Sequence, residues 1–237
     1  MAEHLFRPDN KAWFEKCRKF YTADIPMMAI SQWNIDLFKS EFGRTAPTHY
    51  IGNGVNLDDF PISMKPKDGK YILVEGWVSH NSAKDVDYIA PKVALRLREK
   101  FGVKILAYSQ VPNTTAFVPD EFYCKPDLKT MNDLYERATI MIKASKYDAR
   151  SCSPMEAMTK GTVTVRAIIH GDDDLVDNYP NGNCVRCDYN EEALYENAKA
   201  LFNYSQLERL QNNCREYVTT YTWDYWMKHV NEILKTL

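Results

Sequence analysis

The sequence predicts an α/β protein built on a Rossmann-like, doubly wound parallel sheet. Two observations carry this expectation. Short apolar runs alternate along the chain with longer amphipathic segments, the pattern of βα units. One of these runs, Thr139 to Ala144, also leads through a polar turn into a helix start. Parallel doubly wound sheets bind ligands at such strand-to-helix turns, at the carboxyl ends of their strands.

Taken in order, Asp9 to Tyr21 begins with Pro8-Asp9-Asn10 and places Trp13, Phe14, Cys17 and Phe20 on one face, so it reads as an amphipathic helix. Pro26 to Ile30 is a short buried strand. Ser31 caps a helix carrying Trp33, Ile35, Leu37, Phe38 and Phe42, which Gly43 closes. Thr48 to Ile51 is a strand that runs into the turn Gly52-Asn53-Gly54-Val55-Asn56. Pro61 to Gly69, polar and Pro-containing, is the best candidate for a linker.

Beyond it, strands are expected at Tyr71–Glu75, Val103–Tyr108, within Ala116–Cys124, at Thr139–Ala144, Thr162–Ala167 and Asn183–Arg186. Helices are expected at Asp85–Phe101, Leu128–Arg137, after Ser153, and at Glu191–Tyr204, Gln206–Tyr221 and Trp223–Leu237.

A net charge of -2 gives no electrostatic case for nucleic-acid binding. No apolar run is long enough to span a bilayer, and the opening residues lack the apolar core of a signal peptide. The expected setting is cytoplasmic, with peripheral membrane contact left open. Six cysteines are scattered, and Cys184-Val-Arg-Cys187 lies in a β-like run without further ligands at zinc spacing. Free thiols in a reducing compartment are expected, with metal or redox use of the CxxC as the lesser alternative.

The stretch Ser145 to Gly161 (SKYDARSCSPMEAMTKG) is the candidate site. It places Asp148, Arg150, Ser151 and Ser153 in a polar turn, then starts a helix whose N–H groups favour an anion. Seven residues separate Asp148 from Glu156, so two carboxylates flank the turn. From spacing alone they are equally well a turn acid and a first-turn helix acid.

The order of motifs resembles the family 4 retaining glycosyltransferases of the GT-B fold. The matching stretches are MMAISQWNIDLFKSEFG, YIGNGVNLDDF, ILVEGWVSHNSAKDVDYI, the opening Asp148…Glu156-Ala-Met segment, IIHGDDDLVDNYPNGNCV and YTWDYW. They cover nearly the whole chain in the family's order.

The resemblance implies a division into three parts. Residues 1–62 correspond to the end of an acceptor domain and its crossover, 63–222 to a nucleotide-sugar donor domain, and 223–237 to a helix that returns to the first part. It implies that Glu156 holds the nucleotide's ribose, that Asp148, an Asp where the family has Glu, meets the donor sugar, and that Lys84 holds the diphosphate. Trp77 stands where the family has a second cation, so Arg150, His80 or a partner's residue is a candidate substitute.

Tyr123 and Lys125 lie where the family seats the nucleobase, and Tyr108, Ser151 and Cys152 complete the donor pocket that the resemblance implies. The resemblance implies a nucleotide-sugar donor, such as a UDP- or GDP-sugar, acting as substrate. No separate cofactor or metal is implied, and Asp172-Asp173-Asp174 read as helix-start acids rather than metal ligands.

The resemblance implies a sugar or a lipid-linked molecule as the acceptor. Only the end of the acceptor half is recognisable, so a longer parent chain, a compact enzyme, or a partner subunit, domain or homodimer covering the first segment are all expected arrangements. The activity implied is sugar transfer with retention. A non-catalytic nucleotide-sugar-binding subunit and a sugar-nucleotide epimerase are the alternatives.

Overall fold

In a computed structural model of the chain, the described residues are 11–75, 88–113, 115–170, 184–202 and 204–237. The elements are α1 (Lys11–Tyr21), β1 (Met27–Ala29), α2 (Gln32–Phe42), β2 (Thr48–Tyr50), β3 (Tyr71–Glu75), α3 (Ile89–Phe101), β4 (Lys104–Ser109) and β5 (Glu121–Cys124). They continue with α4 (Leu128–Arg137), β6 (Ile140–Tyr147), α5 (Cys152–Met158), β7 (Val163–His170), β8 (Cys184–Cys187), α6 (Glu191–Ala200), α7 (Tyr204–Thr220) and α8 (Trp223–Leu234).

Six strands form one all-parallel sheet in the order β5-β4-β3-β6-β7-β8. The chain winds outward from β3 through β4 to β5, then returns to the other side of β3 at β6. The switch point of the topology therefore lies between β3 and β6, and at the carboxyl ends of the strands there doubly wound folds form their ligand crevice.

The two faces of the sheet carry separate apolar clusters. Ile72, Val74, Ile105, Ile142, Val163 and Val165 face α3, α6 and α7 through Val93, Leu97, Leu194 and Leu210. Leu73, Leu106 and Met141 face α4 and α5 through Leu134, Tyr135 and Ala157. Strands buried on both faces account for their near-continuous apolar sequence.

A second, two-stranded parallel sheet pairs β1 with β2. It is covered by Cys17, Ile35, Phe38 and Phe42. Ser31 caps α2 by accepting from the Asn34 N–H, and Gly43 closes it at φ 66°. Arg44, buried, donates to the carbonyls of Tyr21, Ala23, Ile25 and Pro47 and so closes this small unit. Phe20 and Ile25 remain exposed.

Several elements differ from expectation for physical reasons. β6 runs to Tyr147, three residues past its apolar core, because Ser145 and Tyr147 still pair with Ile168 and His170 of β7. Backbone pairing, not side-chain polarity, sets its end. The segment from Pro61 to Gly69 is irregular but fastened at several points. Ser63 N donates to Thr159 O, and Lys67 is buried with its ammonium on the carbonyls of Tyr135 and Glu136 at 2.7 and 2.6 Å. Burial lowers the Lys67 pKa to about 7, with Glu136 acting in the opposite direction. Asp85, the expected start of α3, lies outside the described residues.

The crossover Gly52 to Asn56 packs on the start of α8. Val55 N donates to Tyr221 O, and Trp223 N donates to Val55 O. The Trp226 ring lies 5.3 Å from that of Tyr50 in an edge-on pair. A Cβ at Gly54 would lie 2.5 and 2.6 Å from the carbonyl carbon and oxygen of Thr222, where backbone cannot yield. Gly54→Ala is therefore expected to cost about 2 kcal/mol of overpacking. By differential scanning calorimetry this is a fall in melting temperature of about 4–8 °C.

Candidate functional site

Four strands present a row of polar side chains at the switch point. Glu75 pairs in register with Tyr108 of β4, and Lys143 of β6 pairs with Arg166 of β7. Glu75 and Lys143 follow directly on the register of Val74 with Ile142. By the two-residue alternation of strands, all four lie on the face of Leu73, Leu106 and Met141. The row reads Tyr108, Glu75, Lys143, Arg166 across the crevice.

Lys143 is 3% exposed and Arg166 1%. The Lys143 ammonium is 2.7 Å from Glu75 Oε2 and 2.9 Å from Asp148 Oδ2. Arg166 lies 3.8 Å from the same Asp148 oxygen. Asp148, just past the end of β6, therefore serves as counter-ion to two buried cations. Its carboxylate also accepts from the Ser151 hydroxyl at 2.8 Å. Lys143 in turn donates to Ser151 Oγ and, at 3.4 Å, to Ser153 Oγ. Burial by itself lowers the Lys143 pKa, but the Glu75 and Asp148 carboxylates outweigh it and the net shift is upward. The ammonium is thus charged at neutral pH.

Next to this network, Tyr135 of α4 donates to Glu156 Oε2 at 3.0 Å. Tyr135 and Tyr108 are buried and hydrogen-bonded to each other, and Tyr108 also bonds Ser153. Glu156 is partly exposed, with one carboxylate oxygen held by Tyr135. Burial raises its pKa and the Glu75 charge adds to the rise, while the Tyr135 bond and Lys143 pull the other way.

The expected site residues fall into distinct settings. Asp148 and Ser151 join the buried ion network, Glu156 and Tyr108 stand beside it, and Cys152 is exposed at the first position of α5. That helix has seven residues, and Ser151 makes no side-chain cap to it because its hydroxyl is engaged by Asp148 and Lys143.

Arg150 is directed to the junction of the crossover and the last two helices. At 3% exposure it donates to Asn53 O, Tyr50 Oη and Tyr217 Oη, at 3.0, 2.9 and 2.9 Å. Its guanidinium also lies over the rings of Tyr221 and Trp226. On β5, Tyr123 donates to Glu121 at 2.6 Å, and Glu121 is in turn bound by Arg137. Lys125 follows that strand at φ 51°, exposed. Trp77, His80, Lys84 and the Asp172–Asp174 run lie outside the described residues.

Sequence reasoning missed Glu75, Lys143, Arg166 and Tyr135. A signal for two of them was present. TIMIKAS and TVTVRAII each carry one cation in the middle of a buried strand, and a charge there needs a partner. Among the described residues no cluster of His, Cys, Asp or Glu could hold a metal ion, and all six cysteines are free thiols. Also among the described residues, no helix is long and apolar enough to cross a membrane.

No family-wide sequence profile matches this chain, and no curated protein matches it by sequence. Solved structures do match in shape. Sucrose-phosphate synthase from Thermosynechococcus elongatus superposes with a TM-score of 0.77 over 95% of this chain at 14% identity. Anabaena HepE, solved in complex with UDP-glucose, gives 0.75 over 100% at 14%, and a glycosyltransferase from Rickettsia africae gives 0.73 over 93% at 15%. The chain spans 61% of the synthase, 70% of HepE and 66% of the third. Its fold is the α/β, parallel-sheet architecture of GT-B glycosyltransferase domains.

The raised Glu156 pKa gives a signed expectation for stability. The folded state binds that proton more tightly than the unfolded chain, so the carboxylate costs stability above its folded pKa and costs nothing below its unfolded one. Glu156→Gln, which keeps an acceptor for Tyr135, is expected to raise the melting temperature at pH 8. The gain should vanish as pH falls to the ordinary carboxyl value of 4.5. Melting curves of both proteins across that range measure it.

Proposed function

We propose that the chain binds a nucleotide-sugar in the crevice between β3 and β6 and transfers its sugar, with retention of anomeric configuration, to a sugar or lipid-linked acceptor. The observation that carries this is Glu156. It stands at the switch point of a glycosyltransferase fold, oriented by Tyr135 through one carboxylate oxygen. The other oxygen is suited to a ribose hydroxyl. Tyr123 and Lys125, at the carboxyl end of β5, would border the base.

In such a transfer, negative charge develops on the departing diphosphate, and fixed donors that meet it lower the barrier. Lys84 is the residue assigned to that task by the family resemblance. No separate cofactor or metal enters the proposal, and its setting is the cytoplasm. The acceptor side would be completed by further residues of a longer chain, by a partner, or by a second copy.

A second reading is favoured by one observation. The Asp148 side chain is 10% exposed and held inward by Lys143 and Ser151, so it is not presented to a sugar. A nucleotide-sugar-binding subunit without turnover fits that geometry.

Thermal shift with UDP-glucose, UDP-N-acetylglucosamine and GDP-mannose tests binding, followed by donor-hydrolysis and transfer assays on the donor that binds. At a hundredfold excess over Kd, binding should stabilise by about 2.7 kcal/mol, or about 5–10 °C. Glu156→Ala should weaken it roughly tenfold or more, the value of a hydrogen bond to a charged group. Turnover establishes the transferase, and binding without turnover establishes the subunit. No binding of any nucleotide-sugar excludes both.

A further inference from the structure

We propose that Lys143 is the positioning residue of the crevice: its ammonium draws Asp148 inward and fixes the Ser151–Ser153 turn that faces the donor's diphosphate. The part that concerns the donor rests on the nucleotide-sugar reading above. The part that concerns the turn stands on the geometry alone.

Three constraints meet on this one side chain. Lys143 projects from the middle of a buried strand and cannot reach solvent, so it holds whatever anions surround it. Those anions come from different elements, Glu75 at the end of β3 and Asp148 beyond the end of β6. Its remaining contacts are the hydroxyls of Ser151, the residue before α5, and Ser153, the second residue of that helix. One ammonium thus ties the floor of the crevice to both ends of the turn.

Arg166 alone does not do this. It reaches Asp148 at 3.8 Å, against 2.9 Å for Lys143. Asp148 is consequently a counter-ion in the floor, and Glu156, bonded to Tyr135 on the opposite side of the turn, is the carboxylate left to a ligand. Recognition of the donor is carried by the nucleotide and diphosphate, with Asp148 adding no contact to the sugar.

Removing Lys143 alone would leave two carboxylates buried around one arginine, and that protein is expected to unfold. The test therefore uses Lys143→Met combined with Glu75→Gln, which removes one cation and one anion and leaves Asp148 with Arg166. Lys143→Arg is the conservative rescue.

The first readout needs no ligand. Cys152 is an exposed thiol inside the turn and Cys124 is the other exposed one, so alkylation of Cys152 by iodoacetamide is followed in a Cys124→Ser background. The double variant should react about tenfold faster while its melting temperature stays within a few degrees, and the arginine variant should react at the parent rate. The second readout is affinity for UDP-glucose and for uridine by calorimetry. UDP-glucose binding should weaken about tenfold, or 1.4 kcal/mol, with uridine binding unchanged.

An unchanged Cys152 rate in the folded double variant overturns the proposal. So does an equal loss of UDP-glucose and uridine binding, which marks general loosening. A faster Cys152 rate in a protein whose parent binds neither ligand upholds the positioning role and removes only the donor reading.

Discussion

Lys143 and Arg166 stand side by side on adjacent parallel strands, on the same face and within the same row. Neighbouring strands are about 4.8 Å apart, so two cations are held close together in a low-dielectric interior. That arrangement is unfavourable unless anions are placed with equal accuracy. Asp148 lies against both cations and Glu75 completes the balance. Breaking such a buried pair by removing one partner typically costs about 3–5 kcal/mol. The end of β6, the turn after it and the entry to α5 are constrained by this requirement.

The same requirement explains the short acid at position 148. Asp148 already reaches Lys143, Arg166 and Ser151 from the end of the strand. A longer side chain would carry its carboxylate past these partners. Glu156 has the opposite surroundings, with one phenol as partner, partial exposure and a raised pKa. Two carboxylates seven residues apart in sequence therefore do different work. One neutralises the floor, and the other is available to a ligand.

Around this floor the rest of the chain acts as bracing. Arg150 joins the turn to β2, to the crossover and to the last two helices through Tyr50, Asn53, Tyr217 and the Trp226 ring. Asn53 returns the contact by donating to Arg150 O. Lys67 and Arg215 fasten the irregular segment after the crossover to α4 and α7 through backbone carbonyls. Each is a buried or half-buried cation meeting carbonyl oxygens, a use that composition does not disclose. A stretch rich in Lys, Pro and Gly reads as a linker until the place of its lysine is known.

The alternation of elements was legible in the sequence because it depends on local properties. Apolar runs mark strands buried on both faces, Ser31 and Gly43 bound α2 through their own capping geometry, and Tyr71–Glu75 and Leu128–Arg137 carry their limits in their periodicity. The position of Glu156 at a strand-turn-helix junction was likewise readable. The partners of the charges were not. Glu75 and Lys143 are 68 residues apart and meet only because β6 inserts beside β3 in the sheet. Arg150 is two residues from Asp148, yet it turns to a helix near the end of the chain. Local sequence determines which segments become strands and helices. Strand order determines which charges become neighbours, and at this crevice that is a property of the tertiary structure alone.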